Sequence, residues 1–321
     1  MATAVVMQKH EFALLRDLVA DRFGLYYTDE TAYLLERRLA ARVDALGLRS
    51  FLDYHDYLVN PGLPERERDD ELSELFDRLS TRETYFFREH YQLKAMAEEL
   101  LPRLARSRAH DKRLRLWSAG CSSGEEVYSL AITILESGLF EREAGWDVQI
   151  VGTDLSARAL ETARQGSYGR ASFRETDDAM LARYFRRQAD GTWAIADDVR
   201  RRCSVLFTRA NLSRPDRDWV AFDTQGQDLL SGPFDAIFCR NLLIYFQRPR
   251  RTGLIVGLAR RMASDAVLFL GHSETLHELK TPLVLDRLGG EQVYRLASQS
   301  SAAAVRAVDA DVNHSVRQGG R

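Results

Sequence analysis

Beyond Arg113 the chain alternates between short apolar runs and helical stretches, and this alternation limits the folds open to it more than any other feature. The runs Leu114 to Ser118, Val148 to Thr153, Val205 to Thr208, Phe234 to Cys239 and Ala266 to Gly271 are rich in β-branched or aromatic residues. Helical stretches near Glu125 to Glu136, Ala157 to Gln165 and Arg250 to Met262 separate several of them. Strand and helix in regular succession specify an α/β domain with a doubly wound parallel sheet, because a parallel neighbour is reached only through a crossover. The alternation breaks between Glu175 and Val205, where a helix precedes the turn Asp190-Gly191-Thr192-Trp193. We read the break as a small inserted antiparallel β-subdomain, at about 176–203.

Residues 1–80 have a different texture. Helical periodicity runs from Glu11 to about Leu79, and Thr28 or Asp29 followed by Glu30 provides a start for a helix carrying Leu35, Leu39, Val43 and Leu46. Its opposite face bears Arg37, Arg38 and Arg42, either a solvated surface or a dock for an acidic partner. Asn60-Pro61-Gly62-Leu63-Pro64 marks a turn before another helix. A linker with a helix occupies 81–112, and the α/β domain spans 113–297. Leu285 to Arg287 and Gln292 to Leu296, around Gly289-Gly290, read as a terminal antiparallel hairpin. Residues 298–321 lack periodicity and are expected to be a disordered tail.

Charge and cysteine content exclude several classes of function. With 47 acidic and 45 basic residues among 321, the chain has no overall electrostatic footprint for nucleic acid or an anionic membrane. Its three cysteines are far apart and accompanied by no clustered histidines, so neither a disulfide framework nor a metal site is expected. No segment approaches the roughly 18 apolar residues of a membrane span, and the N-terminus lacks a secretory pattern. The expectation is a cytoplasmic protein without membrane insertion.

The candidate site residues lie where strands end. The first run leads into Ala119-Gly120-Cys121-Ser122-Ser123-Gly124-Glu125-Glu126 and then a helix. Gly120 permits close approach to the backbone, and the helix N-terminus favours an anionic group. Two glycines rather than the three of a dinucleotide fingerprint suit S-adenosylmethionine, which has a carboxylate and no phosphate; a tight turn without ligand is the alternative. Gly152-Thr153-Asp154 places a carboxylate where nucleotide-binding folds hold ribose hydroxyls, or else caps the next helix. Asn211-Leu212 and Asn241-Leu242 each set an amide beside an aliphatic side chain, which suits the edge and face of an adenine ring.

Gly120 to Gly124 also matches the Gly-x-Ser-x-Gly nucleophile elbow, with Ser122 followed by Asp235 and His272 in the hydrolase order. An elbow after the first strand is out of place, however, and it leaves Asp154, Asn211 and Asn241 without a role.

Five ordered segments together resemble the CheR-type chemotaxis receptor methyltransferases, which methylate receptor glutamates with S-adenosylmethionine. They are Ser80-Thr81-Arg82-Glu83-Thr84-Tyr85-Phe86-Phe87-Arg88-Glu89, Trp117 to Ser129, Gly152-Thr153-Asp154, Arg240 to Phe246, and Gly271-His272-Ser273-Glu274. The resemblance implies a class I (Rossmann-like) methyltransferase sheet, an N-terminal all-helical domain and the inserted β-subdomain. It implies that Arg82, Thr84 and Arg88 reach the cofactor, with Glu125 or Glu126 near its methionine end. Asp154 falls on the ribose, and Asn211, Leu212, Asn241 and Leu242 surround adenine and the sulfonium. The family often has Asn where Arg82 stands. Tyr245 falls beside the methyl-transfer site, and His272 reads as a structural histidine.

An ionised glutamate, pKa about 4.3, attacks a sulfonium methyl without a general base. The absence of an acid/base dyad in the motifs therefore costs this reaction nothing. Arg88 or Arg240 would steer the substrate carboxylate, Tyr245 would shape the methyl channel, and Arg37, Arg38 and Arg42 would grip the acidic flank of a receptor helix. The turn from Ala189 to Trp193 is shorter than in family members that bind a receptor-tail pentapeptide, so docking independent of such a tail is expected. A nucleic-acid methyltransferase is a rival reading, but Asn241-Leu242-Leu243-Ile244 lacks the Asn-Pro-Pro-Tyr type of base-flipping motif. A cofactor-sensing adaptor that has lost catalysis is another, hinted at only by Arg82.

Overall fold

A computed structural model of the chain describes residues 5–80, 83–214, 219, 221–222 and 226–297. It forms two compact units. One comprises the residues up to 80 together with Tyr245–Gln247, and the other contains 83–244 and the chain from Arg248 onward. Arg82 and the tail 298–321 lie outside the described residues.

The first unit contains α1 (Lys9–Phe23), α2 (Ala32–Ala45), α3 (Phe51–Val59) and α4 (Glu65–Leu79). Apolar residues three or four apart supply its core: Phe12, Leu15 and Val19 from α1, Leu35, Leu39 and Val43 from α2, with Phe51, Leu58, Leu72 and Leu75. Ser50 caps α3 by accepting the amide of Asp53 at 3.0 Å. Buried Glu11 binds two segments at once, accepting the amides of Gln8 at 2.7 Å and Leu52 at 3.0 Å. Residues 245–247 join this unit through a bridge between Leu25 and Phe246, and the Tyr26 amide donates to the Tyr245 carbonyl at 3.2 Å.

Two of the three arginines assigned to an open face of α2 are engaged inside the unit. Arg42 pairs with buried Glu71, its Nε donating to Oε1 at 3.0 Å, while the Tyr54 hydroxyl donates to the same oxygen at 2.8 Å. Arg38 donates to the Tyr27 hydroxyl and to the Leu79 carbonyl at the end of α4. The face is therefore divided: Arg37 is exposed, and the other two close the contact between α2 and α4.

The second unit begins with α5 (His90–Ala95), continued through a π-helical turn, Met96–Leu100, into α6 (Leu101–Ser107). Then follow β1 (Arg113–Ala119), α7 (Glu125–Ser137), β2 (Asp147–Asp154) and α8 (Ala157–Gln165). The insertion holds β3 (Ser167–Tyr168), α9 (Asp178–Tyr184), β4 (Phe185–Arg187), β5 (Trp193–Ile195) and α10 (Asp197–Arg202). The chain closes with β6 (Ser204–Arg209), β7 (Phe234–Cys239), α11 (Arg248–Ala259), β8 (Met262–Leu270), β9 (Leu283–Leu288) and β10 (Glu291–Leu296).

Seven strands form one sheet in the order β6-β2-β1-β7-β8-β10-β9. Those from β6 to β8 run parallel, and the hairpin β9–β10 adds its second strand antiparallel to β8. Every residue of β7 is buried, as expected of a parallel strand covered on both faces. The sequence leaves β1 toward β2 on one side and returns to β7 on the other, so the carboxyl end of β1 is a topological switch point, where open α/β sheets take their ligands.

The inserted sheet has the order β3-β5-β4 and starts earlier than expected, at Ser167. A two-residue strand has no periodicity to betray it. Phe86 anchors this subdomain to the preceding linker: its ring stacks on Phe173 at 5.0 Å and meets Tyr168 and Phe185 edge-on at 4.9 and 4.7 Å. Among the described residues no helix is long and apolar enough to cross a membrane.

Candidate active site

The turn after β1 follows a left-handed path that its composition allows. Gly120, Ser122 and Gly124 have φ of 88°, 49° and 93°. The amides of Gly120 and Cys121 both donate to the Thr153 carbonyl, at 2.8 and 2.9 Å, which ties the turn to β2. A Cβ added to Gly120 would sit 3.2 Å from Leu242, so the exits of β1 and β7 face each other across the switch point. At Gly124 an added Cβ would meet Ala163 at 2.7 Å, so glycine lets α8 approach.

Asp154 sits at the end of β2, with Oδ2 accepting the Ser122 amide and Oδ1 the Ser156 amide, both at 2.9 Å. The cap of α8 is Ser156, whose hydroxyl accepts from Ala159 at 3.0 Å. Asp154 thus orders the glycine turn from the carboxyl end of β2. Asn211, beyond the neighbouring β6, is folded into an Asx turn by the amide and hydroxyl of Ser213, at 3.1 and 2.7 Å, beside buried Leu212.

The two glutamates of α7 have different environments. Glu125 is 2% exposed and accepts from the hydroxyls of Ser123 at 2.8 Å, Ser172 at 3.0 Å and Thr84. Burial raises its pKa above the ordinary carboxylate value despite these donors. The Glu126 side chain is 17% exposed and lies between the Ser118 hydroxyl, at 2.6 Å, and Arg240, at 3.1 Å. Of the two carboxylates expected near the methionine end of a cofactor, Glu126 is the accessible one, and Glu125 locks the turn to the linker.

Arg240 also departs from its expected role. Its side chain, 3% exposed, is held by Glu126 at 3.1 Å, Glu89 at 3.2 Å and the Arg88 carbonyl at 2.5 Å. A guanidinium enclosed by two carboxylates orders the linker rather than steering an incoming carboxylate. Arg88 is half-buried, with one terminal nitrogen donating to the Glu83 carbonyl at 2.6 Å and the guanidinium 5.6 Å from the Tyr85 ring. Phe87 and Glu89 on either side have φ of 59° and 53°, rare for side-chain-bearing residues. Sequence reasoning missed Glu89, since nothing local marks it as the partner of an arginine so far along the chain.

The exit of β7 carries Asn241 at φ 56°. The Glu274 carboxylate, which sequence reasoning left without a role, accepts the amides of Gly271, Asn241 and Leu243 at 2.8 Å and Ile244 at 3.3 Å. Its place in Gly271-His272-Ser273-Glu274 was the only signal. Tyr245 groups with the helical unit instead.

The hydrolase alternative fails on geometry. Asp235 lies at the opposite end of β7, accepting from Arg108 and from the Arg115 amide, both at 2.8 Å, and His272 is exposed. Ser122 has no triad. Its buried hydroxyl lacks a protein partner. This orphaned group, the Asp154 carboxylate at the end of β2, the accessible Glu126 and the apolar Leu242 side chain beside Gly120 together fit a ligand bearing an ammonium, ribose hydroxyls and an apolar face.

Comparison with known proteins agrees with that fit. The family model for the CheR methyltransferase SAM-binding domain matches residues 82–287, and that for the CheR methyltransferase all-alpha domain matches 10–80. The chain is similar to chemotaxis protein methyltransferase 2 of Vibrio cholerae, 33% identical over 86% of this chain and 89% of that protein. It is 32% identical to chemotaxis protein methyltransferase 1 of Pseudomonas aeruginosa, over 84% of this chain and 91% of that one. The probable biofilm formation methyltransferase WspC of the same organism is 34% identical over 80% of this chain and 55% of its own length. With both parts of the chain matched, this protein belongs to the CheR methyltransferase family and is an S-adenosylmethionine-dependent methyltransferase.

Proposed function

We propose that the enzyme methylates glutamate side chains on the cytoplasmic helical domain of chemoreceptors, giving glutamyl methyl esters in chemotaxis adaptation or a related signalling array. The observation that carries this reading is the pairing of an all-alpha domain with a SAM-binding domain, along nearly the whole length of relatives named for chemotaxis methylation. When bound, S-adenosylmethionine supplies an electrophilic methyl group on a positively charged sulfur.

The chain's own residues bind and align. Asp154 takes the ribose hydroxyls, Asn211 and Leu212 with Asn241 and Leu242 flank the adenine and sulfonium, and Glu126 receives the ammonium. Gly120 lets Leu242 pack against the backbone of the turn that holds the ligand, Thr84 reaches the site through Glu125, and Arg82 completes the linker's contribution. Arg88, whose guanidinium keeps spare donors, steers the substrate carboxylate, and Arg37 meets the acidic flank of the receptor helix.

The acceptor glutamate is ionised at neutral pH, so no residue need remove a proton. Holding two reactants in line is worth several kcal/mol, on the order of 7 or more for well-oriented groups, and the enzyme's task is that alignment. The reacting charges cancel as the ester forms, which favours a site sheltered from water.

The test uses the full chain, S-adenosylmethionine carrying a labelled methyl, and a receptor cytoplasmic fragment. Label released as methanol by mild base, and absent when the acceptor glutamates are replaced by alanine, is expected. Label stable to base would show a different acceptor. Docking independent of a receptor-tail pentapeptide is also proposed, from the short Gln188–Thr192 turn between β4 and β5; saturable binding of such a peptide would contradict it.

A further inference from the structure

We infer that Glu274, which contacts none of the proposed ligands, is a positioning residue: its carboxylate fixes the exit of β7 so that Asn241 and Leu242 face the cofactor. The inference rests on the assignment of those two residues to the cofactor, not on the identity of the methyl acceptor.

The backbone leaves β7 after Cys239 and reverses within a few residues, so the amides of Asn241, Leu243 and Ile244 have no strand to pair with. Buried amides of this kind need an acceptor. Glu274 provides it from the loop after β8, Oε2 taking Gly271 and Asn241 at 2.8 Å each and Oε1 taking Leu243 at 2.8 Å and Ile244 at 3.3 Å. Asn241 is held at φ 56°, a conformation its short polar side chain tolerates better than most. Leu242, between the anchored amides, is thereby turned toward Gly120.

Gly271 is part of the device. A Cβ there would stand 2.8 Å from Asn241 Nδ2, 2.9 Å from its amide nitrogen and 2.9 Å from Glu274 Oε2. Distances this short leave no room for alanine without moving the Asn241 turn. A carboxylate 8% exposed is costly to bury, and four backbone donors at a bend beside the switch point account for its retention.

The decisive variant is Glu274→Gln in the full chain. Glutamine has one acceptor oxygen, so its NH2 must face either the Gly271 and Asn241 amides or those of Leu243 and Ile244, donor against donor. Affinity for S-adenosylhomocysteine should fall at least tenfold, Glu274→Asp should fall between the two, and Gly271→Ala should weaken binding similarly. Val293→Ala, a buried β10 change with its own cost in stability, should leave the affinity unchanged, which separates positioning from general loosening.

Hydrogen exchange on the unaltered protein without ligand should show the amides of Asn241, Leu243 and Ile244 already protected. Free exchange there overturns the inference even if a variant fails to fold. A folded Glu274→Gln protein that binds within twofold of the original also overturns it. If Asn241→Ala and Leu242→Ala bind normally, the pocket assignment fails and the inference with it; if they weaken binding while Glu274→Gln does not, only the inference fails.

Discussion

The helical unit and the carboxyl edge of the sheet both bury acidic side chains, but to different ends. In the helical unit Glu71 meets Arg42 and Tyr54, side chain to side chain, and the pairing joins helices whose backbones are already satisfied. At the sheet edge Asp154 and Glu274 accept mainly backbone amides, where the chain has left its strands and is not yet helical. Regular elements use buried charge to choose neighbours, as Glu71 does, and to take up the free amides at helix starts, as Glu11 does, whereas a ligand-binding edge needs it to hold irregular backbone in one shape. Stability and cofactor affinity should therefore respond separately to changes in the two places.

The largest effect is expected from Arg240→Ala, which removes an enclosed guanidinium and leaves Glu89 and Glu126 without their shared partner. Breaking a buried pair from one side costs about 3–5 kcal/mol, so urea unfolding should show a loss of that order. A change below about 1 kcal/mol would mean that water replaces the guanidinium at Glu89 and Glu126 without loss, which also breaks the account of the linker. Glu71→Ala comes next, at about 2–3 kcal/mol, because the Arg42 and Tyr54 donors lose their shared acceptor. It should leave S-adenosylhomocysteine affinity untouched; a tenfold change would erase the contrast between the regions.

Glu125 sharpens the comparison through pH. Burial raises its folded pKa above the value of an unfolded glutamate, so the folded state takes up a proton at higher pH than the unfolded one. Its stabilising contribution is therefore complete below the unfolded pKa and fades as pH rises through the folded value. Relative to Glu125→Gln, the original protein should gain stability as pH is lowered from 7.5 toward 5, as followed by urea midpoints. A difference constant with pH would contradict the burial argument. The smallest effect on stability belongs to the exposed Arg37, where Arg37→Glu should change unfolding by no more than about 0.5 kcal/mol. It should raise the KM for a receptor fragment several-fold, and an unchanged KM would remove α2 from the docking surface.

Much of this was legible in the sequence where structure is local. The bounds of β7, Phe234–Cys239, and of α8, Ala157–Gln165, match the apolar run and the periodic stretch residue for residue, and the hairpin about Gly289-Gly290 is present. The strand exits bearing Gly120, Asp154, Asn211 and Asn241 do gather at one edge, because parallel strands point their carboxyl ends the same way.

What the sequence concealed was partnership at a distance. Arg42 and Arg38 look like a charged helix face until α4 is in place, and Arg240 reads as a free cation until the linker brings Glu89 beside it. Glu125 and Glu126 are adjacent in sequence, but only the fold shows which is sealed and which is accessible. Glu274 was hidden for a related reason, since a carboxylate that serves backbone amides has no complementary charge to announce it.

Equilibrium dialysis of the full chain against S-adenosylmethionine, alongside Asp154→Ala, tests most directly whether the sheet edge is the cofactor pocket. The account predicts saturable retention of one molecule per chain and at least tenfold weaker retention by the variant. Retention by neither protein, or equal retention by both, would contradict it.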